Sequence, residues 1–206
     1  MTTLAEQIWK GSPVPQLYDK IALPSRHTAQ FISEELRNLP SNARVLDVGV
    51  GTGIVAKKLL QDLDIRLDGV DTSSNMLAAA CEVLPEGTRL YKSSATSLPV
   101  PARSYDVVLY NYILRYMIPA DTNDVFSEAA RVSKPGAKVI ISDLNFPRLR
   151  PFKQPLEESA DPNVLGIWAA YSREEFIQKA HEYGFVHNKT CYPFLSFMMV
   201  FAKGDT

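Results

Sequence analysis

Residues 45–53 read VLDVGVGTG: a short apolar run broken by Asp47, then Gly49, Gly51 and Gly53 at alternate positions. A glycine loop at the end of an apolar run lets the backbone approach a ligand where any side chain would collide. A dinucleotide fingerprint requires G-x-G-x-x-G, and its third glycine would fall on Ile54 or Ala56 here. Asp47 argues the same way, because a carboxylate facing a pyrophosphate sets two anions against each other. A carboxylate at that place suits a cation such as an amino acid's ammonium group. Asp71 ends the next apolar run, where it can accept both hydroxyls of a ribose. Each aspartate also has a local alternative: Asp47 as a turn cap, and Asp71 as the cap of a helix beginning near Ser74.

These residues need a frame. Ala29, Ile32, Leu36 and Leu39 recur at helical spacing behind Ser25, a candidate N-cap. ARVLDV (43–48) reads as a buried strand, IVAKKLLQDL (54–63) as a helix and IRLDGVD (65–71) as a second strand. Ser73 caps a helix carrying Met76, Leu77, Ala80 and Leu84. Strands follow at 88–92 and 105–111, a helix opens at Asp121, and a fifth strand spans 137–144. Ser172 and Glu175 form a capping box for a last helix that Gly184 ends. Strands at 185–191 and 194–202 then make a hairpin around Pro193. Alternating strands and helices predict an α/β fold: a Rossmann-like, seven-stranded, mostly parallel sheet with helices on both faces and a C-terminal antiparallel hairpin. In such a sheet the ligand lies past the carboxyl ends of the strands, where Asp47, Gly49, Asp71, Asn111 and Asp143 all fall.

Whole-chain properties narrow the partners. The 206 residues suit a single domain (1–206), with N-terminal cap helices over 1–40 and a lid-like insertion over 147–171. The formal net charge of -1 points to no large anionic polymer, hence no nucleic acid as partner. Cys81 and Cys191 lie outside any CxxC spacing and read as buried free thiols in a reducing compartment, with no metal site. The N-terminus carries Glu6, Lys10 and Asp19 rather than a signal-peptide apolar region, and FLSFMMVFA (194–202) is too short to span a bilayer. The expectation is a cytoplasmic protein with a small-molecule substrate; the oligomeric state is not legible.

A ligand with an ammonium group, a ribose and an adenine but no phosphate is S-adenosylmethionine. The chain resembles the class I S-adenosylmethionine-dependent methyltransferases, in the small-molecule branch similar to the ubiquinone and menaquinone methyltransferases. The resemblance runs through VLDVGVGTG (45–53), GVDTSSNML (69–77), SLPVPARSYDVVLYN (97–111), EAARVSKPGAKVIISDL (128–144) and YSREEFIQKAHEYGF (171–185). It implies a methyltransferase using S-adenosylmethionine, with Gly49, Gly51 and Gly53 against the methionine portion and Asp47 on its ammonium. It further implies Asp71 on the ribose diol, Thr72 and Met76 flanking the adenine, and Asn111 lining the cofactor. The family's adenine-binding aspartate is replaced by Ser94, followed by Ala95; a hydroxyl can accept the bond without the charge.

The acceptor side departs further. The family commonly places a histidine near Leu114 and Arg115, and YNYILRYM (110–117) has none. His27, Tyr112 and Arg115 are the candidates for contact with the reaction, with no assigned base. Methyl transfer demands chiefly alignment, and a base only for a poor acceptor. Two rival readings remain at this stage: a non-methylating, for example pericyclic, enzyme on the same fold, and a nucleic-acid or protein methyltransferase. The place after the fourth strand reads Asn111-Tyr112-Ile113-Leu114, unlike the N-P-P-Y-like turn of DNA amino-methylating enzymes.

Overall fold

A computed structural model describes residues 23–144, 171–193 and 196–205. In chain order the elements are α1 (Leu23–Glu35), β1 (Ala43–Val48), α2 (Ile54–Asp62), β2 (Ile65–Asp71), α3 (Ser74–Val83), β3 (Arg89–Lys92) and β4 (Tyr105–Asn111). There follow α4 (Thr122–Val132), β5 (Ser133–Leu144), α5 (Arg173–Glu182), β6 (Phe185–Cys191) and β7 (Ser196–Lys203). Two short 3-10 turns, Leu114–Tyr116 and Pro119–Asp121, bridge β4 and α4. The insertion over 147–170 and most of the 1–40 cap segment, residues 1–22, lie outside the described residues.

The strands form one seven-stranded sheet in the order β3-β2-β1-β4-β5-β7-β6. β3, β2, β1, β4 and β5 pair in parallel, and β7 pairs antiparallel with both β5 and β6. The fold class expected from the sequence is the one observed. The reason is the strand composition: β4 is buried at nearly every position, as a strand covered on both faces must be. Alternate residues feed two cores. Val45, Val107, Leu109 and Ile140 pack under α1 and α2 with Ile32, Leu36, Val55 and Leu59. Leu46, Val108, Tyr110 and Ile141 pack under α4 and α5 with Phe126, Ala129, Phe176 and Ala180.

Local expectations meet three corrections. Ser25 is not an N-cap: α1 starts at Leu23, and Ser25 lies buried in its first turn. β5 begins at Ser133 rather than Ala137: Ser133 pairs with Tyr105 and Lys138 with Val107, so the intervening Lys134-Pro135-Gly136 segment forms an irregular bulge of β5 opposite β4. β7 is described over Ser196–Lys203, and residues 194–195 of the expected strand lie outside the described residues. Cys81 is exposed and Cys191 half-buried, so the thiols are free without being core residues. Ser73 and Ser172 do cap as their sequence context demands, the latter in a reciprocal capping box with Glu175.

The candidate cofactor site

The site is built at the carboxyl ends of β1, β2 and β4. After Val48 the chain turns through Gly49, Gly51 and Gly53, at φ 81°, 55° and 79°. Left-handed backbone is strained for any residue with a Cβ. At Gly49 space forbids it too, since a Cβ there would lie 2.0 Å from Ile113 Cγ2. The Gly49 and Val50 amides both donate to Val70 O, at 2.7 and 3.0 Å, which folds the loop back over the end of β2. Gly53 then starts α2, its carbonyl accepting from Lys57 N at 2.8 Å.

Asp71 ties this loop to the next one. One carboxylate oxygen accepts from Gly51 N at 2.9 Å and the other from Ser73 N at 2.9 Å. The helix α3 is capped by Ser73 Oγ, which accepts from Met76 N at 3.4 Å. Asp71 is therefore a loop clamp as well as a candidate ribose acceptor, and the helix-cap alternative belongs to Ser73. Burial raises its pKa, against the backbone donors Ser73, Gly51 and Thr72 that favour the charge.

Asp47 and Asn111 lie on neighbouring strands, Asn111 two residues past Leu109, which pairs with Asp47, and both are nearly inaccessible. Asp47 Oδ1 and Asn111 Nδ2 both lack a hydrogen-bond partner among the described residues. Asn111 Oδ1 accepts from Ser142 Oγ at 2.6 Å, which fixes the amide's orientation and presents its N–H groups to the site. Burial pushes the Asp47 carboxyl up to about 7; the nearby Asn111 amide opposes that rise and the Asp71 charge adds to it. Buried polar atoms without partners are costly, and an orphaned acceptor beside an orphaned donor marks a place for a zwitterionic ligand. The methionine end of S-adenosylmethionine has the ammonium and the carboxylate that these two atoms lack. On this test the residues fit the cofactor.

Of the remaining expected cofactor residues, Thr72 is half-buried and Met76 is 5% exposed. Ala95 is buried in the core beside Leu98. Ser94 Oγ is engaged by Thr96, at 2.9 Å from its hydroxyl and 3.2 Å from its amide nitrogen. Two of the three acceptor-side candidates, Tyr112 and Arg115, come together. His27 is exposed on α1. Arg115 Nη1 donates to Asp143 Oδ1 at 3.2 Å, and its guanidinium lies over the rings of Tyr112 and Tyr116 at 5.3 and 4.9 Å. Tyr112 shares its hydroxyl with Thr28 and Ser196, at 2.6 and 2.5 Å, and burial raises its pKa. Thr28, Ser142 and Ser196 were not singled out from the sequence. The available signal for Thr28 was a hydroxyl four residues before Ile32, on the buried face of α1.

A glycine loop after β1, an acid after β2 and a sheet closed by a reversed β7 define the class I methyltransferase fold, whose cofactor is S-adenosylmethionine. Residues 46–141 match the family described as a methyltransferase domain, and that span holds Asp47, the glycine loop, Asp71, Ser94 and Asn111. The chain is similar to YdaC, an uncharacterized methyltransferase of Bacillus subtilis (strain 168): 34% identical over 120 residues, 57% of this chain and 60% of the relative. It is 33% identical over 124 residues to a demethylmenaquinone methyltransferase of Bacillus licheniformis, covering 58% of this chain and 53% of that one. The chain thus spans somewhat over half the length of these curated relatives. Among solved structures the [4+2]-cyclase SpnF superposes with a TM-score of 0.69 at 18% identity, over 87% of this chain and 81% of that one. The likeness in sequence to methyltransferases is thus concentrated in residues 46–141 and the stretch around them.

Proposed function

We propose that this protein transfers a methyl group from S-adenosylmethionine to a small-molecule acceptor in the cytoplasm. The observation that carries the reading is the pair of buried, unpartnered atoms, Asp47 Oδ1 and Asn111 Nδ2, behind three left-handed glycines. In this reading Asp47 holds the ammonium and Asn111 donates to the carboxylate of the cofactor's methionine end. Gly49, Gly51 and Gly53 let the backbone lie along that portion. Asp71 keeps Gly51 in place with one lone pair on an oxygen and offers others to the ribose hydroxyls. Thr72 and Met76 flank the adenine, and Ser94 with Ala95 border its edge. When bound, the cofactor supplies a methyl group made electrophilic by its sulfonium.

The chain's own contribution is then alignment and exclusion of water, because no described acceptor-side residue is set up as a base. Tyr112 has its hydroxyl engaged and Arg115 is paired with Asp143. A small molecule is favoured over a nucleic acid by the near-neutral charge, and the similarity to a demethylmenaquinone methyltransferase supports the same class. No helix among the described residues is long and apolar enough to cross a membrane.

Calorimetry tests the binding half: S-adenosylmethionine and S-adenosylhomocysteine should bind and NAD should not. Tight NAD binding without S-adenosylmethionine binding would sink the reading. Incubation with S-adenosylmethionine and a panel of quinol, phenol and amine acceptors tests the reaction. Formation of S-adenosylhomocysteine supports transfer, whereas a converted acceptor with the cofactor left intact supports a non-methylating enzyme on this fold.

A further inference from the structure

We propose that Tyr112 is a positioning residue: it pins the N-terminal half of α1 to the carboxyl end of the sheet and, through its backbone, seats Asn111 and Ile113 on the cofactor loop. The inference rests on the proposed function, since it concerns the same site.

Tyr112 follows the last residue of β4 and has φ 58°. A bulky residue in left-handed backbone is an outlier that survives only where its surroundings over-determine it. Here they do. Tyr112 N donates to Ser142 O at 2.8 Å, so the turn stays stitched to β5. The ring is buried, and the hydroxyl joins Thr28 Oγ1 to Ser196 Oγ, both in residues with no exposed surface. A phenol in such a chain donates to one hydroxyl and accepts from the other, so all three are satisfied together. Burial holds the phenol above its ordinary pKa, which keeps the proton that this arrangement requires.

The two neighbours of Tyr112 show what the turn achieves. Asn111 presents the unpartnered Nδ2 beside Asp47. Ile113 packs where a Cβ on Gly49 would otherwise stand. A relaxed, right-handed Tyr112 would redirect both. The hydroxyl chain extends the constraint to α1, whose far end is fixed independently: Ser33 Oγ donates to Asp62 Oδ2 at 2.6 Å, and Lys138 Nζ pairs with Glu35 at 2.8 Å. α1 is thus tied down at the amino end of the sheet by charges and at the carboxyl end, beside the cofactor, through Tyr112.

Three variants of the full chain test this: Tyr112→Phe, Thr28→Val and Thr28→Ser. Tyr112→Phe and Thr28→Val should speed hydrogen exchange at the amides of residues 28–32 by about tenfold, because local opening there loses its anchor. Thr28→Ser keeps a hydroxyl and should stay within about twofold of the parent. Affinity for S-adenosylhomocysteine should weaken by about three- to tenfold in Tyr112→Phe, in proportion to hydrogen bonds of this kind. The double variant Tyr112→Phe/Thr28→Val should be no worse than the more damaging single one, since both cut the same chain. Unchanged exchange in Tyr112→Phe overturns the pin. Faster exchange with unaltered S-adenosylhomocysteine affinity overturns the positioning role. Failure of the proposed function looks different: the parent protein itself would not bind S-adenosylhomocysteine. Should Tyr112→Phe not fold, the Thr28 pair reads the same outcomes.

Discussion

The two ends of the sheet treat their carboxylates differently, although Asp143 at the carboxyl end is paired with Arg115. Towards the amino ends of the strands the charges are spent on one another. Asp68 accepts from Tyr105 Oη at 2.7 Å and from Arg44 at 3.2 Å, while Arg44 stacks over the Tyr105 ring. Asp106 takes Lys134 Nζ on both oxygens at 2.8 Å and the Arg44 amide at 2.8 Å. Burial alone would raise the Asp106 pKa, but Lys134 and the Arg44 amide bring it below the ordinary value. At the carboxyl end Asp47 has no such cation, and burial carries its pKa up to about 7. An end whose charges are paired is built for stability. One that leaves a buried carboxylate oxygen and an amide unsatisfied is built for a ligand, at a cost in stability until the ligand arrives.

The largest test of that contrast is steric. Gly49→Ala should cost at least about a thousandfold in S-adenosylhomocysteine affinity, roughly 4 kcal/mol, because the new methyl meets Ile113 Cγ2 at 2.0 Å on a left-handed backbone. Gly51→Ala is the control: a Cβ there would meet nothing nearer than Gly49 O at 4.0 Å. There only the φ strain of about 1–2 kcal/mol remains. Equal effects at the two positions, measured by calorimetry, would mean that loop space is not what the glycines provide.

Next comes pH. The folded-state pKa of Asp47 lies above its unfolded value, so the folded protein binds the extra proton between the two. Without ligand, stability should therefore be full below about pH 4 as far as Asp47 is concerned and fall as pH rises towards 7, by up to about 3–4 kcal/mol. Asp71, also raised, pulls in the same direction, whereas Asp106 does the reverse. Urea unfolding at pH 5 and pH 8 should show the loss, and Asp47→Asn should flatten it. S-adenosylmethionine affinity should rise over the same interval, because the ammonium requires the ionised carboxylate. A parent protein whose stability is flat from pH 5 to 8 would remove Asp47 from its role as the strained group. Asp71→Ala should then weaken S-adenosylhomocysteine binding at least tenfold, about 1.5–3 kcal/mol, through the loss of a charged hydrogen-bonding group. An unchanged affinity would leave the carboxylate as a loop clamp alone.

Much of the frame was legible because it is written in local patterns. The β-strand runs 43–48, 65–71 and 105–111 carry β-branched and other apolar residues between turn signals, and the Ser172–Glu175 box marks its helix without reference to anything distant. Asp47, Asp71 and the glycines were visible for the same reason, being adjacent to strand ends. What escaped depends on partners far apart in the chain. No pattern near Tyr112 tells that its hydroxyl meets Thr28 and Ser196, each 84 residues away. The bulge that lengthens β5 arises from β4 pairing, and the burial of Ser25 from packing that propensity does not encode.

The smallest expected effect closes the comparison from the other end. Tyr105→Phe deletes one hydroxyl from the amino-end cluster and leaves the ring beneath Arg44 in place. Asp68 retains Arg44, so its carboxylate is not stranded, and the loss should be about 1–2 kcal/mol of stability, as for one buried hydrogen bond to a charged acceptor. Because Tyr105 and the cofactor loop lie at opposite ends of the sheet, S-adenosylhomocysteine affinity should stay within about twofold of the parent, as expected for distant sites. The pair of readings matters more than either alone. If Tyr105→Phe lowers cofactor affinity as strongly as Asp71→Ala does, the two ends are coupled through the strands. The division between a paired, stabilising end and an unpaired, binding end would then describe the charges but not the energetics.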